Sequence, residues 1–135
     1  MRFLIRGDVC NLCKSSFLLR IRQTKTIQFG QRILTIPFVA CLTDELCPVS
    51  YLIRHLVRSP MSKESPLFSY HDHSQVVTWT HASFVKYLKI CLGKIGLPVS
   101  SYSGHSFRRG GCSMCFQAGM SVSEIKLRGD WKSQS

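Results

Sequence analysis

The sequence predicts a mixed α+β fold, with a small antiparallel sheet of two or three strands packed beside a mainly α-helical body. Two observations predict it. The first third of the chain carries apolar runs of strand length, and after Pro48 the apolar residues recur at i, i+3, i+4 and i+7. A third observation agrees: Pro or Gly follows each of the later periodic stretches, where helices stop.

In chain order, Phe17-Leu18-Leu19-Arg20-Ile21-Arg22 and Arg32-Ile33-Leu34-Thr35-Ile36-Pro37 read as two strands of a hairpin. The connection between them carries Lys25 near its tip and Gly30 for the turn, and is longer than the tightest hairpin loops. Residues 8–16 are the candidate third strand. Pro48 suits the first position of a helix, and Val49, Leu52, Ile53 and Leu56 then share one face until Ser59-Pro60. Residues 61–75 are polar and read as a loop, followed by a short strand at Val76-Val77-Thr78-Trp79. Thr80 is the expected cap of a second helix, with Phe84, Leu88, Cys91, Leu92 and Ile95 on one face and Gly96 and Pro98 after it. The third helix is expected over residues 105–118, burying Phe107, Gly111, Met114 and Ala118. Ser121-Val122-Ser123-Glu124 is a capping-box pattern that opens a short fourth helix through Leu127.

Composition narrows the functional classes. At 135 residues the chain is expected to form one domain with a buried core. Its 44% hydrophobic and 19% charged residues describe a globular protein and exclude a disordered one. Eighteen Lys and Arg against seven Asp and Glu leave a net charge of +11, which points to a polyanion, most commonly nucleic acid. No segment pairs a basic face with an aromatic and leucine face, and no apolar run reaches membrane-spanning length, so a membrane partner is not expected. Seven scattered cysteines and a first segment without a long apolar core point to a reducing, intracellular setting. Cys10-x-x-Cys13 and Cys112-x-x-Cys115 each have half the spacing of a zinc site. They lie far apart in sequence, however, and the second pair falls within an expected helix, so they read as packed thiols. His71, His73 and His81 have no metal-ligand spacing.

The stretch that carries chemistry is Gly104-His105-Ser106-Phe107-Arg108-Arg109-Gly110-Gly111. A His and an Arg three apart at the start of a helix stand one turn up and about 60° round, so both can reach one ligand. An imidazole beside a guanidinium near a helix N-terminus suits a phosphate oxygen. Arg109 adds a second cation, and the flanking glycines point to close packing or a closely approaching ligand. Taken alone, Lys25 reads as a solvated lysine and Trp131 as a core or capping residue.

Together these pieces form a family pattern. Tyr102-Ser103-Gly104-His105-Ser106-Phe107-Arg108-Arg109-Gly110-Gly111, then Ala118-Gly119, then Gly129-Asp130-Trp131-Lys132-Ser133, resembles the catalytic domain of tyrosine recombinases, the phage-integrase family, in the branch found in eukaryotic mobile elements. Thr24-Lys25-Thr26-Ile27-Gln28-Phe29-Gly30 is similar to that branch's hairpin lysine segment, and Leu46-Cys47-Pro48-Val49 to the start of its next helix. The resemblance implies double-stranded DNA as partner, a homo-oligomer on DNA, a nuclear location in a eukaryote, and DNA integration or recombination through a phosphotyrosine intermediate. That reaction conserves the phosphodiester energy and implies no cofactor. By the resemblance Arg108 holds a nonbridging oxygen, His105 hydrogen-bonds the same phosphate or acts in proton transfer, Lys25 protonates the leaving 5′ hydroxyl, and Trp131 buttresses the pocket. Lys25, Arg108 and Arg109 are the expected DNA contacts.

The chain departs from the pattern in three places. The family has a further Arg ahead of the hairpin that neither Arg2 nor Arg6 matches. Its nucleophilic Tyr follows the Gly129 motif by several residues, and Tyr51, Tyr70, Tyr87 and Tyr102 all fall elsewhere. Asp130 stands where the family usually has His or Trp, with Trp131 next. The expectation is therefore a fragment of a catalytic core that binds DNA and does not form the covalent intermediate. The alternative is a non-catalytic DNA-binding module using the helix pair at 105–127.

Overall fold

The structure, a computed structural model, describes residues 4–23, 27, 32–41, 43 and 45–129. It is mixed α+β: the described residues include four α-helices, a three-stranded antiparallel sheet and a separate two-stranded one. They fall into two compact units, Met1–Thr78 and Trp79–Ser135.

The first unit is built on the sheet β1 (Val9–Cys10), β2 (Ser16–Ile21) and β3 (Leu34–Val39), in the order β1-β2-β3. β2 lies within one residue of its expected place, whereas β3 starts and ends two residues later than expected and runs straight through Pro37. Pro37 pairs with Leu18 on an edge strand, where a missing N–H on the outer side costs no ladder bond. The cross-strand partners Phe17 and Phe38 stack with ring centroids 4.6 Å apart.

Helix α1 (Pro48–Arg58) begins at its proline and ends before Ser59-Pro60, as its sequence predicts. Its apolar face, Val49, Leu52, Ile53 and Leu56, closes over the sheet. The core so formed is Phe17, Cys47, Val49, Leu52 and Leu67, with Val49 wholly buried. Burial of such side chains contributes about 1.5–3 kcal/mol each.

Residues 61–75 correct the expected loop. Leu67 is part of the core, and β4 (Ser69–Asp72) pairs with β5 (Gln75–Thr78) in a hairpin that turns at His73, whose φ is 52°. The segment ahead of the hairpin is laced to the start of the chain. Arg6 N–H donates to Ser65 O at 3.0 Å, Gly7 N–H to Lys63 O at 2.8 Å, and Leu67 N–H to Leu4 O at 2.7 Å. His55 Nε2 lies 2.9 Å from Leu67 O, and the Ser69 and Thr78 hydroxyls meet at 2.8 Å. Arg6 is buried and donates to Ser69 O.

The second unit contains α2 (His81–Lys94), α3 (Gly104–Gln117) and α4 (Val122–Gly129). Thr80 caps α2 by accepting from Ser83 N–H at 3.1 Å. α2 ends in a Schellman turn: Gly96 at φ +74° donates to Gly93 O, and Leu97 N–H donates to Leu92 O. α3 ends the same way at Gly119, φ +80°. The Ser121 capping box opens α4, with Ser121 N–H donating to Glu124 Oε2 at 2.9 Å and Glu124 N–H to Ser121 Oγ at 3.3 Å. α4 continues two residues past the expected end, to Gly129.

The expected buried stripe of α3 is overturned. Phe107 is 60% and Met114 71% exposed, and Gly111 and Ala118 are exposed too. The half-buried positions of α3 are Gly104, Ser106, Cys112 and Cys115. On α2 the inward residues are Val85, Leu88 and Leu92, whereas Phe84, Cys91 and Ile95, expected inward, are exposed.

Candidate functional site

The candidate site is the first two turns of α3. Ser103 precedes the helix in extended backbone and caps it: His105 N–H donates to Ser103 Oγ at 3.3 Å, while Ser103 N–H donates to Ser106 Oγ at 3.0 Å. This reciprocal cap fixes where the helix begins, so His105 and Arg108 stand one turn apart, and both side chains are exposed to a ligand.

Arg108 is positioned from a second element. Its guanidinium donates to Gly129 O, at the last residue of α4, where a helix leaves its carbonyls without internal partners. The contact spans twenty-one residues and joins the two motifs, the His-x-x-Arg turn and the Gly129 segment, that periodicity treats as unrelated. The aromatic rings of Phe84 and Phe107, 5.8 Å apart, tie α3 to α2 one turn into each helix.

The other expected site residues divide. Arg109 is exposed, and its carbonyl accepts from Ser113 Oγ at 3.1 Å, leaving its side chain on the helix surface. A Cβ on Gly110 or Gly111 would meet nothing within 4 Å, so close packing among the described residues does not call for these glycines. Lys25 and Trp131 lie outside the described residues. Two of the tyrosines have neighbours of their own: Arg54 lies over the Tyr51 ring at 5.3 Å, and Tyr87 meets Trp79 edge-on at 5.5 Å.

His81, whose spacing in the sequence fits no metal site, lies beside this site. A Cβ placed on Gly104 would stand 2.7 Å from His81 Nε2. Its signal was Gly104 itself, since a glycine at the start of a helix marks a close approach.

All seven cysteines are free thiols. Of the two pairs expected as packed thiols, Cys10, Cys112 and Cys115 are half-buried, whereas Cys13 is exposed and corrects that expectation; Cys47 is buried in the core, and Cys41 and Cys91 are exposed. Among the described residues no group of three or more His, Cys, Asp or Glu is placed to hold a metal ion. No helix among them is long and apolar enough to cross a membrane.

Chemically, the site offers an imidazole and a fixed guanidinium on one exposed helical turn, with a second imidazole against the same turn. It can grip an oxyanion from one side. Comparison with family models, with curated proteins and with solved structures found no match.

Proposed function

We propose that this chain binds double-stranded DNA through a single phosphate held by His105 and Arg108, as part of a tyrosine-recombinase-like catalytic core, and that these 135 residues do not themselves form the covalent phosphotyrosine intermediate. The observation that carries the reading is the bond from the Arg108 guanidinium to Gly129 O, which brings together the two motifs on which the resemblance rests. The net charge of +11 supports a polyanionic partner. The roles of Lys25 and Trp131 rest on the resemblance alone.

In this reading the oxyanion that builds on phosphorus is held by Arg108, and His105 donates to or accepts from the same phosphate. Tyr51, Tyr70, Tyr87 and Tyr102 do not match the position of the family's nucleophile, so in this reading they do not take its part. A suicide DNA substrate, which traps any covalent protein–DNA adduct, tests this directly. Duplex binding without an adduct is expected; an adduct formed by the 135-residue chain refutes the inactive reading, and absence of DNA binding refutes the whole.

One observation favours a second reading. α3 and α4 are joined by four residues, 118–121, that turn at Gly119, like the helix pair of a groove-binding module. There Arg108→Ala weakens binding to all sequences alike and lowers the salt slope by about one. A phosphate pocket instead concentrates the loss at one phosphate.

A further inference from the structure

We infer that His81, carried on α2, is a third residue of the phosphate grip, and that Gly104 is glycine in order to seat it. The inference rests on the phosphate reading of His105 and Arg108 and adds a residue to it.

The geometry is specific. The His81 ring occupies the space a side chain at position 104 would take: a Cβ there would stand 2.7 Å from its Nε2, 3.5 Å from Cδ2 and 3.8 Å from Cε1. An approach below 3.0 Å is one that real Cβ atoms essentially never show, so with any residue but glycine the exposed imidazole would have to shift away. Positions 104 and 108 are four apart on α3 and share a face. The imidazole from α2 therefore stands in the space where the side chain of an i−4 neighbour of Arg108 would begin. The Phe84–Phe107 contact lies three residues further along both helices and repeats the same side-by-side register. His81 forms no hydrogen bond among the described residues, and its ring is exposed. The ring atom nearest Gly104 is Nε2, a nitrogen able to donate to, or accept from, a phosphate oxygen. His81, 24 residues upstream of His105, thus lies against the helical turn that carries His105 and Arg108, in the space that the missing side chain of Gly104 leaves.

The test measures binding of a labelled DNA duplex by fluorescence anisotropy for His81→Ala, Gly104→Ala, their double variant and Arg108→Ala. His81→Ala is expected to weaken binding on the order of tenfold, the loss of one charge-assisted hydrogen bond. Gly104→Ala should do the same by displacing the ring, and the double variant should lose no more than either single one. His81→Gln, which restores a donor on a side chain of similar reach, should recover most of the affinity. If Arg108→Ala loses affinity while His81→Ala binds like the parent protein, the inference about His81 is overturned and the phosphate reading stands. If Arg108→Ala also binds like the parent, the phosphate reading itself fails. Should Gly104→Ala unfold, the His81 imidazole resonances of the parent protein decide. They shift on titration with duplex DNA if His81 contacts phosphate, and a ring that does not respond overturns the inference.

Discussion

Leu67→Ala tests whether the segment after α1 belongs to the core, where its polar composition suggests a loop. Leu67 is 2% exposed and packs among Phe17, Cys47, Val49 and Leu52. The substitution removes three carbons, worth about 2.4 kcal/mol at roughly 0.8 kcal/mol per buried methylene, and the cavity left behind brings the loss to about 3 kcal/mol. The backbone bond from Leu67 N–H to Leu4 O and the contact of Leu67 O with His55 survive in an alanine, so the loss is one of packing. Amide hydrogen exchange in β2, whose Phe17 packs in the same core, reads the loss within this unit. A 3 kcal/mol loss corresponds to exchange about 150-fold faster at the slowest amides. The neighbouring Phe68 is 54% exposed, and Phe68→Ala should accelerate exchange less than about fivefold, the mark of a surface change under 1 kcal/mol. Equal effects of the two substitutions would refute the placement of Leu67 in the core.

Further predictions follow from the second unit and from the β1–β2 turn. Gly119→Ala, at φ +80°, should destabilise the C-terminal unit by about 1 kcal/mol, whereas Gly110→Ala, in open helical space, should stabilise it by about 0.5–1 kcal/mol; thermal unfolding followed by tryptophan fluorescence reads both signs. The Ser121 side chain, by hydrogen-bonding Glu124, holds the Glu124 carboxyl below its ordinary value. A depressed carboxylate stabilises the fold above its unfolded value of about 4.3 and loses that contribution as pH falls through the folded value, so Ser121→Ala should raise the Glu124 midpoint in a carboxylate NMR titration. An unchanged midpoint would contradict the capping box. Hydrogen bonds from the side chains of Ser15 and then Ser16 lower the Cys13 thiol to about 7. Its alkylation by iodoacetamide, followed by mass spectrometry, should therefore reach half its maximal rate near pH 7, and Ser15→Ala should shift that midpoint upward toward the ordinary thiol value of about 8.5.

How much was legible in the sequence varied by element, for physical reasons. α1 could be read because Pro48 and the spacing of Val49, Leu52, Ile53 and Leu56 are local signals that agree with the burial. The Ser121–Glu124 box and the glycine stops at Gly96 and Gly119 are local in the same way. β5 matches the short strand expected from Val76, but its partner β4 could not be read, because Ser69-Tyr70-His71-Asp72 lacks an apolar alternation. It is held instead by the Ser69–Thr78 hydroxyl pair and follows a segment bonded to residues 4–7. Periodicity placed Phe107 and Met114 on one face of α3 but does not say whether a neighbouring element covers it. The faces that do approach α3 are set by small residues, Gly104 above all, and by the reach of Arg108 to α4. At the site, the pairing of His105 with Arg108 followed from spacing. The contacts of Arg108 with Gly129 and of Gly104 with His81 cross more than twenty residues and are visible only in three dimensions.

The central claim is that His105 and Arg108 grip one phosphate of bound DNA. It is tested most directly by a neutral-phosphate scan, in which a duplex carries a single methylphosphonate moved one position at a time, measured against the parent protein and Arg108→Ala. The account predicts one position where neutralising the phosphate weakens binding of the parent by about tenfold and leaves Arg108→Ala unaffected, because that variant has already lost the partner. A uniform small effect at every position, or the same profile for both proteins, would contradict it.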